Sequence, residues 1–167
     1  TITIATGDTV GTVSIAAPGD DPHIDAGSVS RTITAASGGN FESLVVNPAA
    51  AVTVIADTTD TTVLSLSATP TVAEGGTITY TATLTNAAQT PVTVTLSTGE
   101  TITIAAGATT GSVDVAAPAD DAFVDAGIVS RTIAGAVGGN FESRVINPTP
   151  ATTTVTDTVD VTTVSLS

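Results

Sequence analysis

Two ten-residue segments of this chain, PGDDPHIDAG and PADDAFVDAG, place three aspartates at one spacing: Asp20, Asp21 and Asp25 in the first, Asp120, Asp121 and Asp125 in the second. Further along, each is followed by a D-T-x-D step, formed by Asp57 and Asp60 and by Asp157 and Asp160. Two like charges 4 Å apart repel by about 1 kcal/mol in water and about 4 at an effective dielectric of 20. The chain has 16 acids against three arginines and no lysine, a net charge of −13, so its own cations cannot relieve such clusters. A divalent cation can. Oxygen-only donors, in a chain with no cysteine and a single histidine, favour calcium over zinc or copper. Asp and Gly also build turns, but a turn does not require DD-x3-D together with a second acidic step.

Other chemistries find less support. His23 is matched by Phe123 one hundred residues on, so it is not a repeated ligand or base, and a surface or partly packed place is expected for it. Asp120 and Asp121 are adjacent on one segment, without the defined separation or the aromatic platform that a glycosidase pair requires. The SGGN and VGGN steps lack the lysine of a phosphate-binding loop. Arg131 is expected to lie along its strand or to pair with an acid. Alternating Thr in TITI and TITYTAT is what any solvated strand face shows. No nucleophile, base and orienting group can be assembled, so no enzyme is expected. Phosphate recognition needs clustered cations, which excludes a nucleic-acid partner. No apolar run is long enough for a membrane span, and no amino-terminal export signal is recognised.

The elements that must carry these acids repeat. TITIATGDTVGTVSIAAPGDD from Thr1 realigns without a gap on TITIAAGATTGSVDVAAPADD from Thr101, and 41 of the 67 paired positions are identical. An offset of 100 residues is the size of an immunoglobulin-like sandwich, far above that of a solenoid coil. With 41% apolar but only 2% aromatic residues, the core must be built from Val, Ile, Leu and Ala. Thr and Val are stiff, β-branched and suited to strands. Ile78, Tyr80, Ala82 and Leu84 alternate with Thr77, Thr79, Thr81 and Thr83, the period of a half-buried strand. The fold class expected is all-β, as tandem seven-stranded antiparallel sandwiches with strands A to G. Residues 1–60 correspond to strands D to G of one repeat, 61–160 to a complete repeat, and 161–167 to the first strand of another. The inward set expected is Leu66, Ile78, Tyr80, Leu84, Val94, Leu96, Val113, Val115, Val129, Ile133 and Val155.

Strand parity then gathers the acids. If successive strands run antiparallel, the A–B, C–D and E–F loops and the exit of G share one end. That end receives Glu74, Glu100, Asp120, Asp121, Asp125, Asp157 and Asp160, and in the earlier copy Asp20, Asp21, Asp25, Asp57 and Asp60. These twelve are the candidate calcium ligands. Asp8, Glu42, Asp114 and Glu142 fall outside the pattern.

The segments VAEGGTITYTATLT, DDAFVDAG and TVTDTVD resemble the immunoglobulin-like and Calx-β-like extender repeats of giant RTX adhesins, the LapA-like biofilm proteins. The resemblance covers the whole chain. It implies a structural spacer at the cell surface, exported by type I secretion, in which calcium rigidifies the junctions between repeats. It implies Glu74, Asp120, Asp121, Asp125, Asp157 and Asp160 as ligands, neighbouring repeats of the same chain as partners, and a monomer within an extended rod. A ligand-binding adhesin module, recognising a surface or a carbohydrate, is the alternative. It would need an exposed aromatic or polar cleft particular to one repeat.

Overall fold

A computed structural model describes residues 1–166. All regular structure among them is strand, with no α-helix, as the dominance of β-branched residues predicts. The chain divides into two units, the first made of Thr1–Asp21 with Asp25–Thr58, the second of Pro22–Ile24 with the chain from Thr59 onward.

Among the described residues the second unit contains ten strands: β3 (Thr61–Ala68), β4 (Thr71–Ala73), β5 (Thr77–Leu84), β6 (Val92–Leu96), β7 (Thr101–Ile104), β8 (Thr110–Ala116), β9 (Gly127–Arg131), β10 (Ile133–Gly138), β11 (Ser143–Ile146) and β12 (Ala151–Thr156). One sheet has the order β11-β3-β5-β8. Two shorter ladders, β4-β12-β9 and β10-β6-β7, are linked because β9 and β10 are halves of one strand path interrupted at Thr132. Between the layers lies a core in which Ile78, Tyr80, Ala82 and Leu84 of β5 are buried with Val92, Val94 and Leu96 of β6 and Ile102 and Ile104 of β7. The period-two alternation of β5 is thus the burial pattern itself.

Seven antiparallel strands were expected; the complete repeat has ten, and two of its pairings are parallel. β12 runs parallel to β4, and β11 parallel to β3. The reason lies in parity: the first and last strands of an odd set point the same way, so they pair in parallel when the sandwich makes them neighbours. The extra strands arise where the chain changes sheet. Pro70 follows β3, and Pro148 and Pro150 precede β12. Proline offers no N–H to continue a ladder, so β3 hands over to β4 in the other sheet, and β11 to β12. The segment around Ser143–Ile146, expected as a plain connection, supplies β11.

The expected inward residues all lie inside. Ile78, Tyr80, Leu84, Val94, Leu96 and Val155 are buried, while Leu66, Val113, Val115, Val129 and Ile133 pack partly buried against the core. Phe141, which belongs to the Gly-Gly-Asn-Phe connection, was not among them and is buried too.

The first unit has two strands, β1 (Gly27–Arg31) and β2 (Ala51–Ile55). Their register, Gly27 opposite Ile55 and Arg31 opposite Ala51, is that of β9 and β12 shifted by one repeat. Strands D and E, expected in residues 1–17, are not formed. In the second unit their counterparts β7 and β8 pair with β6 and β5 alone, and the first unit has no counterpart of either partner. Residues 161–166, expected to begin a further repeat, lie outside any strand, and Ser167 lies outside the described residues.

Candidate metal centre

Three carboxylates meet at one end of the second unit because the ladders place them in a row. β12 pairs with β4 so that Thr156 faces Ala73; one step further, Asp157 faces Glu74. β12 also pairs with β9 so that Val155 faces Gly127; two steps further, Asp157 faces Asp125. Adjacent strands lie about 4.8 Å apart, and one carboxylate oxygen of each residue falls within 4.8 Å of the others. Residues two apart on a strand share a face, so these side chains follow Val72 and Val155, which face the core. That is why an acid here is buried.

The turn that holds Glu74 is stitched on both sides. The Glu74 N–H donates to the Thr156 carbonyl at 3.0 Å, and the Gly75 N–H donates to the Pro118 carbonyl at 2.7 Å. Ala117 N–H closes the turn on the Gly76 carbonyl at 2.9 Å. Gly75 has φ +68°, and a Cβ on Gly76 would overlap Val72. The pair Gly75–Gly76 is therefore required by the turn rather than by the acids.

Glu74 is only 6% exposed, and its Oε2 has no hydrogen-bond partner; the buried Oδ1 of Asp157 has none either. The Glu74 carboxyl is pushed up to about 7, first by a hydrogen bond shared with Asp125, then by burial, then by the charges of Asp125 and Asp157. Three acids thus share one small space, in which the Asp125 and Asp157 charges disfavour the ionised form of Glu74. The donor set is all carboxylate oxygen, which suits a hard cation such as calcium.

The other candidate ligands lie off this row. Asp120 accepts a hydrogen bond from the Thr158 hydroxyl, which fastens the E–F loop to the segment leaving β12. Asp121 accepts from the Phe123 N–H at 2.8 Å, a local loop bond. Asp160 is exposed beyond the row. Glu100 is engaged elsewhere: Arg131 pairs with it and the Thr98 hydroxyl donates to it, and with these partners its carboxyl is held down to about 2. Parity assigns the C–D turn to the correct end but not to the correct height. Ser97 N–H bonds the Thr132 carbonyl, five residues short of Gly127, or about 16 Å at 3.3 Å per residue. Arg131 also lies over the Tyr80 ring, 5.1 Å from its centroid.

In the first unit Asp25 and Asp57 occupy the equivalent row, with the Asp25 N–H 3.4 Å from Asp57 Oδ2. Asp20 accepts from the Thr58 hydroxyl at 2.5 Å, as Asp120 does from Thr158. The Asp25 carboxyl is raised by burial and then by Asp21, Asp57 and Asp20. The Glu74 position has no counterpart there. Asp60 lies at the far end of the second unit, where its N–H donates to Glu142. Thr58 and Thr158 were not singled out from sequence, although both stand directly after the first acid of the D-T-x-D step, where a signal was available.

A family model described as LapA domain matches residues 1–58 and 60–158. The chain belongs to the LapA domain family. No curated protein and no solved structure matches it. The two matched stretches divide where the 100-residue repeat does, close to the boundary between the two units. Membership in the LapA domain family makes this an adhesin-related chain, consistent with a structural, non-enzymatic role at the cell surface.

Proposed function

We propose that this LapA domain chain is a spacer of a large surface adhesin, and that calcium bound by Glu74, Asp125 and Asp157 stiffens the carboxyl-terminal end of the repeat. The observation that carries the reading is the row of three carboxylates, one of them nine-tenths buried with an orphaned oxygen. Each comes from a different piece of chain: the turn before β5, the loop before β9 and the exit of β12. An ion held by all three ties that loop and that exit to the body of the sandwich. Asp157 matters most mechanically, because it is the first residue past the last strand. Calcium takes six to eight oxygens, so backbone carbonyls or water complete the shell.

Extracellular calcium modules bind with dissociation constants on the order of 10⁻⁴ to 10⁻³ M. At 100 times that constant a site adds about 2.7 kcal/mol to stability. Calorimetric titration of the chelator-treated chain, with thermal melts at each calcium level, tests the reading. Calcium is expected to raise the melting temperature of wild type, whereas Asp157→Ala and Glu74→Gln should melt at one temperature with or without it. A wild-type chain whose melting ignores both calcium and chelator would end the proposal.

A further inference from the structure

Pro22–Ile24 belong to the second unit although both flanks belong to the first. The three residues lie as a short strand-like bridge against Asn140–Glu142. Ile24 N–H donates to the Asn140 carbonyl at 3.1 Å, Glu142 N–H donates to the Pro22 carbonyl at 3.2 Å, and His23 pairs with Phe141 across the bridge. The His23 ring stacks on Phe141 with centroids 5.5 Å apart and planes inclined by 23°. Its Nε2 lies 3.0 Å from the Ala87 carbonyl. Under this cover Phe141 is only 8% exposed.

The same loop recurs one repeat later as Ala122, Phe123 and Val124, and there the apolar residues have nothing over them: Phe123 is 76% and Val124 91% exposed. The receiving loop recurs as well. Gly38, Gly39 and Asn40 have φ of +90°, +82° and +53°, and Gly138, Gly139 and Asn140 have +90°, +92° and +55°. Each repeat therefore carries both a hook, in the loop before its β9-type strand, and a receiver, in its Gly-Gly-Asn-Phe turn. The two bonds between them are backbone bonds, which survive the change of Pro22 to Ala122 and of Ile24 to Val124. The stack needs only an aromatic ring, which His23 and Phe123 both supply.

We infer that Ala122–Val124 is a docking hook whose occupant is the Gly-Gly-Asn-Phe turn of a following copy of this repeat, with Phe123 stacked on the counterpart of Phe141. The inference rests on the head-to-tail arrangement of repeats in the proposed function, but not on its calcium ion, since the two backbone bonds and the ring stack that define the bridge involve none of Glu74, Asp125 and Asp157.

The test is the chain extended after Asp160 by a further copy of residues 61–160, spin-labelled at one site in each of its last two repeats. Nuclear Overhauser contacts between Phe123 and the added copy's receiving phenylalanine are expected. Phe123→Ala should abolish them and broaden the interlabel distance distribution, and Phe123→His should keep it narrow. Phe123 is exposed, so neither variant threatens the fold of its own repeat. A distribution that broadens on chelation but ignores Phe123→Ala overturns the hook and keeps the calcium reading. One that broadens with Phe123→Ala but ignores chelation keeps the hook and overturns the calcium reading. Self-association in sedimentation that Phe123→Ala removes would assign the loop to side-by-side contact and overturn the inference.

Discussion

Glu74 and Glu100 are the same residue type with opposite titrations, because Glu74 shares a hydrogen bond with Asp125 and is buried beside two acids, whereas Glu100 accepts from the Thr98 hydroxyl and from Arg131. The Glu74 carboxyl is raised from 4.5 to about 7, so the folded chain holds that proton more tightly than the unfolded chain. Its contribution to metal-free stability is complete below pH 4.5 and is lost as pH rises through 7. The Glu100 carboxyl is lowered from 4.5 to about 2, so its contribution is present above 4.5 and is lost as pH falls through 2. Denaturant midpoints of the chelated chain should therefore decline on both sides of pH 4.5. Glu74→Gln should flatten the alkaline limb alone, and Glu100→Gln the acid limb alone. Saturating calcium should flatten the alkaline limb of wild type as the glutamine does, because the ion takes over the role of the shared proton. An alkaline limb unchanged by Glu74→Gln would show that the charge crowding lies elsewhere. The acids themselves were plain in the sequence. Their partition into a carboxylate row and an ion pair was not, because Arg131 reaches Glu100 only through the register of β10 on β6.

Turns and strands set how precisely those side chains are held. Gly75 adopts a positive φ of +68°, and a Cβ there would make only ordinary van der Waals contact with Asp120, so Gly75→Ala meets backbone strain rather than a clash. A non-glycine residue in that region costs about 1–2 kcal/mol. The substitution should lower the denaturation midpoint by that amount and weaken calcium binding, since the turn also aims Glu74. The two TITI segments supply an internal control at this scale. Ile102 in β7 is fully buried, while Ile2 is 51% exposed outside any strand. Ile102→Ala should cost about 2–5 kcal/mol, as buried large-to-small changes do. Ile2→Ala should stay within about 0.5 kcal/mol, as surface changes do. Equal losses at the two sites, read by urea unfolding, would mean that the first unit builds a core of its own.

Across the whole molecule, protection from solvent should follow the core. In hydrogen–deuterium exchange the amides of β3, β5 and β6 are expected to be the slowest, and those of residues 1–17 among the fastest, because stability is drawn from buried apolar contacts. Calcium should add protection at 74–76, 118–125 and 156–158, and leave β6 and β7 unchanged. Uniform slowing along the chain would indicate general screening of the −13 net charge instead of a site. The sequence alone determined the all-β class, the 100-residue period, the alternating faces of β5 and the end of the repeat to which the A–B and E–F loops belong. Each follows from local preference or from counting, through β-branched stiffness, period-two burial and strand parity. Tertiary structure decided what depends on partners. It switched sheets at Pro70 and Pro148, made parallel neighbours of strands at opposite ends of the repeat, and put Glu74, Asp125 and Asp157 in one row while Glu100 went to Arg131. It also made one TITI a buried strand and left its identical copy exposed and irregular. The residues are the same; β6 stands beside only one of them, and a strand exists only where another offers its hydrogen bonds.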